Sequence, residues 1–122
     1  MKKWILQITQ DFYQEALNDP LIGYQFRKIE DFDQHIQRIA QFWSHRLYHT
    51  AKPNPNVQFQ QSHLKLNLNR GELGRWLVLF EKQIQNYQET HPELKNELNR
   101  WWQMVRDFEQ VMLQTEGMFK SR

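Results

Sequence analysis

The sequence predicts an all-α protein, and three observations predict it. Apolar residues recur every three to four positions in four long stretches, which is the period of one face of a helix. No stretch alternates apolar and polar residues as a half-buried strand does. The strongest breaks, Asn18-Asp19-Pro20, Lys52-Pro53-Asn54-Pro55-Asn56 and His91-Pro92, fall between those stretches. No internal repeat or domain boundary divides the chain. At 122 residues it reads as one domain, 1–122, able to bury roughly two thirds of its unfolded surface.

The first helix is expected over 3–18, with Trp4/Ile5, Ile8, Phe12 and Ala16 on one face. Asn18-Asp19-Pro20 ends it, because a residue before proline disfavours the helical region. Leu21-Ile22-Gly23-Tyr24-Gln25-Phe26 follows as an irregular or short-helical corner. Asp31-Phe32-Asp33-Gln34 resembles a capping box that opens a helix burying Phe32, Ile36, Ile39, Trp43 and Leu47. The 52–56 segment is a loop by composition, and 57–68 reads as a short helix and an irregular link. Arg70-Gly71 resets the chain before a helix at about 72–88, with Leu73, Trp76/Leu77, Phe80, Ile84 and Tyr87 inward. His91-Pro92 begins the last helix, with proline suited to its first turn. Leu94, Leu98, Trp101, Val105, Phe108 and Met112 form its stripe, and Gly117 is the expected stop.

Composition narrows the function classes. Sixteen basic and fourteen acidic side chains give a formal charge of +2, so the pI near 9.0 reflects a small excess and not a basic stripe. Nucleic-acid binding is not expected. The absence of cysteine excludes disulfides, thiolate-bound zinc, iron–sulfur clusters and thiol catalysis. Any metal must be held by histidine or carboxylate. The N-terminal segment is too short for a signal h-region, no apolar stretch approaches membrane-spanning length, and a cytoplasmic protein without membrane contact is expected. Mean hydropathy is −0.87, yet the chain carries five Trp, eight Phe and four Tyr. Large rings let a small domain build a core, or line a flat pocket, with few residues.

The arrangement of four residues carries the functional signal. His63 is a lone histidine between polar Gln60-Gln61-Ser62 and apolar Leu64 and Leu66, which suits a ring pointing inward from a short helix. Tyr13 lies one step from Phe12, off the first helix's apolar stripe, so its hydroxyl is expected in a cavity. His35 shares a face with Ile39 and Phe42 at the edge of its stripe and looks sideways into a pocket. Trp76 adds an indole donor. One axial ligand and three polar groups around an open metal position are the parts that chemistry at a haem iron needs. The plain alternative for each residue is a core aromatic or a solvated histidine. His45 and His49 stand four apart, a spacing open to zinc, but no third ligand follows and a solvated helix end is preferred.

Several segments together resemble the truncated haemoglobins, group III most closely: Phe12-Tyr13, Asp19-Pro20-Leu21-Ile22-Gly23-Tyr24-Gln25-Phe26, His35 eight residues before Phe42-Trp43, His63-Leu64 and Arg75-Trp76-Leu77-Val78-Leu79-Phe80. The similarity runs from about residue 8 to about residue 84. The glycine pairs of the other truncated groups are missing, and the segment before Phe12 is short even for this family. The resemblance implies a two-over-two helical sandwich around a b-type haem. It implies His63 as the iron ligand, Tyr13, His35 and Trp76 on the distal side, His35 as a gate, and Phe26 against the porphyrin. Lys52, His49 and Arg70 are candidate partners of the haem propionates. Dioxygen, and with it nitric oxide or peroxide, is the implied ligand. The expected role is redox or detoxification, such as nitric oxide dioxygenase or peroxidase-like activity fed by an unidentified reductase. The alternatives are an oxygen store or sensor, or a cofactor-free helical interaction domain.

Overall fold

The computed structural model describes residues 2–48 and 70–114, with side chains as far as Val111. The described residues are helical throughout, joined by turns, with no strand. The elements are α1 (Lys3–Leu17), α2 (Gly23–Phe26), α3 (Phe32–Tyr48), α4 (Arg70–Thr90), a 3₁₀ turn (Pro92–Leu94) and α5 (Lys95–Gln114). The 52–56 loop, the 57–68 segment and Gly117 lie outside the described residues.

Local chemistry accounts for the boundaries. Asn18 closes α1, and its side-chain amide donates to the Gln14 carbonyl at 3.0 Å. Asp19 then turns the chain: its Oδ1 accepts the Leu21 and Ile22 amides at 2.9 and 3.2 Å, and its carbonyl accepts the Gly23 amide at 2.9 Å. At Gly23 the chain passes so close to the end of α1 that a Cβ would stand 2.6 Å from the Leu17 carbonyl oxygen. Asp31 caps α3, accepting the Gln34 amide at 3.2 Å. Two expectations shift. α4 begins at Arg70, so Gly71 lies inside its first turn and does not precede it. The last helix is reached through a 3₁₀ turn carrying Pro92.

The four long helices close on one another in a ring. α1 packs against α3 and α4, α4 against α5, and α5 back against α3. The core inside it is built from Ile5, Ile8, Phe12 and Ala16 of α1, Ile36, Ala40, Trp43 and Leu47 of α3, Leu79, Phe80 and Ile84 of α4, and Leu98 and Trp101 of α5. Phe32 and Ile39, expected in this core, are only partly buried, whereas Ala40 is fully covered. A polar clamp joins the corner after α1 to α4. Arg75 Nε donates to Asp19 Oδ2 at 2.8 Å, and Tyr24 donates its hydroxyl to Glu72.

Candidate functional site

An apolar cleft lies where the four long helices meet. α1 contributes Thr9, Phe12 and Tyr13, α3 Ile39 and Trp43, α4 Leu73, Trp76, Leu77 and Phe80, and α5 Val105, Phe108 and Glu109. The free volume is about 90 Å³. Most of the lining is hydrocarbon or aromatic, with a few polar atoms among it, the usual make-up of a small-molecule site. Two of those polar groups are already engaged. The Thr9 hydroxyl donates to the Ile5 carbonyl at 2.8 Å, and Glu109 meets Arg106 at 3.4 Å.

Tyr13 reaches this cleft because it sits one residue past the core-facing Phe12. Its ring is held edge-on by Phe12, Phe26 and Phe32, with centroids 5.6, 5.2 and 5.8 Å away. Its hydroxyl stands 3.0 Å from His35 Nε2, bridging α1 and α3. Burial pushes the Tyr13 phenol far above its ordinary value, so it stays protonated. Desolvation, and secondarily the charge of Arg38, hold His35 below the usual histidine range, so its ring is neutral at pH 7. A neutral imidazole and a phenol can exchange donor and acceptor roles across one contact, according to the ring tautomer.

Among the sequence-predicted site residues, Tyr13 and Trp76 line the cleft, and the Trp76 Nε1–H is buried. His35 stands behind Tyr13 and reaches the cleft through it. Phe26 is also one layer back, 3% exposed, with its ring 5.1 Å from Trp76 and 5.2 Å from Tyr13. His63, His49 and Lys52 lie outside the described residues. Arg70 is exposed at the start of α4. Among the described residues, no group of three or more His, Cys, Asp or Glu converges as a metal-binding cluster, and no helix is long and apolar enough to cross a membrane.

Sequence reasoning missed the α5 wall of the cleft, Val105, Phe108 and Glu109, because a stripe reports which side is buried and not what it faces. It also missed the clamp. Asp19 is 6% exposed and Glu72 5% exposed. Burial would raise the Asp19 carboxyl, but the Arg75 hydrogen bond, the Leu21 and Ile22 amides and the Arg75 charge outweigh it and hold the carboxyl below its ordinary value. The clamp fixes the residue before Trp76, and so fixes how α4 presents the indole to the cleft. Compared with known proteins, the chain matches no family model, no curated protein and no solved structure.

Proposed function

We propose that the chain is a haem-binding protein of truncated-globin type that takes dioxygen, nitric oxide or peroxide in redox or detoxification chemistry. The observation that carries this reading is the Tyr13–His35 hydrogen bond at 3.0 Å beside a cleft that Tyr13 shares with Trp76. The ring of packed helices, α1 against α3 and α4, and α5 against α4 and α3, is the observation that favours a two-over-two reading. The residue chemistry fits a haem: an apolar slot for the macrocycle, and phenol and indole donors on one side of it. The cleft as it stands is narrower than a macrocycle, so seating one requires its side chains to part. His63 would supply the iron ligand, and Arg70, with Lys52 and His49, is a candidate partner for the propionates. When bound, the haem supplies an open iron position for a diatomic ligand or peroxide.

The chain's own residues then set the outcome. Donors aimed at developing negative charge in a water-poor site are worth more than in water. While Tyr13 donates to His35 Nε2, its proton points away from the cleft. When His35 carries its proton on Nε2 and donates to the Tyr13 oxygen, the phenol proton is released toward the ligand. The pair thus moves a donor into or out of the cleft without either group gaining net charge. Phe12, Trp43 and Phe80 line the same space with apolar surface, which would disfavour water beside a bound ligand.

The test is reconstitution with haem and inspection for a Soret band. His63→Ala should lose haem or hold it loosely, while His45→Ala and His91→Ala retain it. Equal retention in all three variants, or no Soret band in the parent, would sink the reading.

A further inference from the structure

Three indoles lead out of the cleft to the surface. Trp43 lines the cleft on α3 and is 7% exposed. Its ring centroid is 6.2 Å from that of Trp101 on α5, which is 0% exposed. Trp101 is in turn 6.1 Å from Trp4 on α1, which is partly exposed. Each pair is in ring contact at a tilt, and the three belong to three different helices.

We infer that Trp43, Trp101 and Trp4 form a one-electron relay that carries oxidising equivalents from the cleft to the protein surface. Indole is among the side chains most easily oxidised by one electron, whereas phenylalanine is not. The Trp101 Nε1–H is buried and has no hydrogen-bond partner among the described residues. A phenylalanine there would avoid that penalty, so the orphan donor calls for an explanation beyond packing. The relay supplies one. An oxidised indole becomes a strong acid at Nε1, and losing that proton traps the radical. Among the described residues Trp101 has no acceptor to take the proton, so it stays a radical cation and passes the hole on. Trp4 at the solvent edge can lose its proton to water, which gives the relay its direction.

The electrons balance. Trp43 gives one electron to the oxidant in the cleft, Trp101 refills Trp43, and Trp4 refills Trp101 and releases its Nε1 proton. A phenol in solution returns one electron and one proton to Trp4 and leaves as a phenoxyl radical. Two such passages, with the two protons released, reduce one hydrogen peroxide to two waters. The peroxide step rests on the haem reading above; the path through the three indoles does not.

The haem-free protein tests the path alone. Because the chain has no cysteine, Glu109→Cys gives a single attachment point at the cleft for a ruthenium polypyridyl photosensitiser. Flash excitation with an irreversible electron acceptor generates the oxidant there, and peptide mass spectrometry reads where oxygen is added. Unlabelled protein with the free complex sets the background. Trp4 should be oxidised in the labelled parent and fall to background in Trp101→Phe, with oxidation retained on Trp43. Trp4 oxidation that is absent in the parent, or equal in Trp101→Phe, would overturn the relay. If circular dichroism shows that Trp101→Phe does not fold, Trp4→Phe decides: oxidation of Trp101 should then rise above its level in the labelled parent, and its failure to do so overturns the relay. Haem and peroxide in place of the photosensitiser form the second arm. A relay in the first arm without haem uptake in the second would remove the haem reading and leave the relay standing. Haem uptake without Trp101-dependent oxidation of Trp4 would do the reverse.

Discussion

The Tyr13 hydroxyl and the His35 ring share one hydrogen bond, and the position of its proton decides what faces the cleft. A hydrogen bond to a charged partner contributes about 1.5–3 kcal/mol, and at ~1.4 kcal/mol per decade this is roughly ten- to a hundredfold in rate. In the haem-loaded protein, Tyr13→Phe should therefore speed dioxygen release by about that factor. Trp76→Phe should do likewise, and the double variant should be less than additive if both donors serve one network. Stopped-flow off-rates check this, and rates unchanged in all three variants would return Tyr13 and Trp76 to core packing. His35 adds a pH signature. Its folded value lies below the ordinary 6.5, so the neutral ring favours the folded state, and that contribution is present above 6.5 and lost as pH falls through the folded value. Once protonated, Nε2 can only donate, which keeps the Tyr13 proton turned toward the cleft. Ligand release should therefore slow as pH drops below 6.5, and His35→Leu should abolish the dependence. A flat pH profile in the parent would contradict the exchange of roles.

Among elements, the corner between α1 and α4 concentrates the constraints. Alanine is ordinarily the better helix former than glycine by about 1 kcal/mol. At Gly23 the added methyl would meet a backbone oxygen at 2.6 Å, and forcing that shift costs about 1–3 kcal/mol. The clash should win, so Gly23→Ala should lower the midpoint of thermal unfolding; a rise would mean that the corner yields freely. Arg75→Ala removes a charged hydrogen bond from buried Asp19 and should cost about 1.5–3 kcal/mol. Because Arg75 helps hold the Asp19 carboxyl down, the stability it lends is present above the ordinary carboxylate value and lost as pH falls through the folded one. The gap between parent and variant should therefore be widest near pH 7 and narrow as pH falls, read from denaturant midpoints between pH 3 and 7. The helices themselves were legible because each carries a 3.6-residue stripe, and Asn18-Asp19-Pro20 and His91-Pro92 mark the ends of α1 and α4. The clamp was not, because Asp19 and Arg75 stand 56 residues apart and Tyr24 and Glu72 48 apart. Nothing in a helical stripe marks a carboxylate as buried. Tyr13 was legible as a cavity residue from its offset beside Phe12 and Trp76 as inward-facing from its stripe, whereas the position of His35 behind Tyr13 depends on how α1 crosses α3.

For the whole molecule, ligand binding and stability are one equilibrium. A haem that binds only the folded chain should raise the unfolding midpoint, by about 2.7 kcal/mol of stability at a hundredfold excess over its dissociation constant. The narrow cleft sharpens this expectation: its free volume is about 90 Å³, less than a macrocycle fills, so loading should part its walls. Calorimetry with and without haem measures the first effect, and protection of α4 and α5 amides against hydrogen exchange locates it. An unmoved midpoint would speak for the cofactor-free helical domain.

The ring of helices has a further consequence, for the order in which the protein is made. Its ties between elements join residues far apart along the chain. Glu15 meets Lys82 at 2.5 Å across 67 residues, Arg100 reaches the Leu47 carbonyl at 2.6 Å across 53, and Asp19 waits for Arg75. Contacts this remote are paid for in loop closure before they stabilise anything. During synthesis α1, α2 and α3 emerge first, with the faces that α4 and α5 will cover still bare. A peptide of residues 1–48 should accordingly show helical signal without a cooperative melt, and should self-associate as its concentration rises. The nascent chain would then depend on holding chaperones until α4 has left the ribosome.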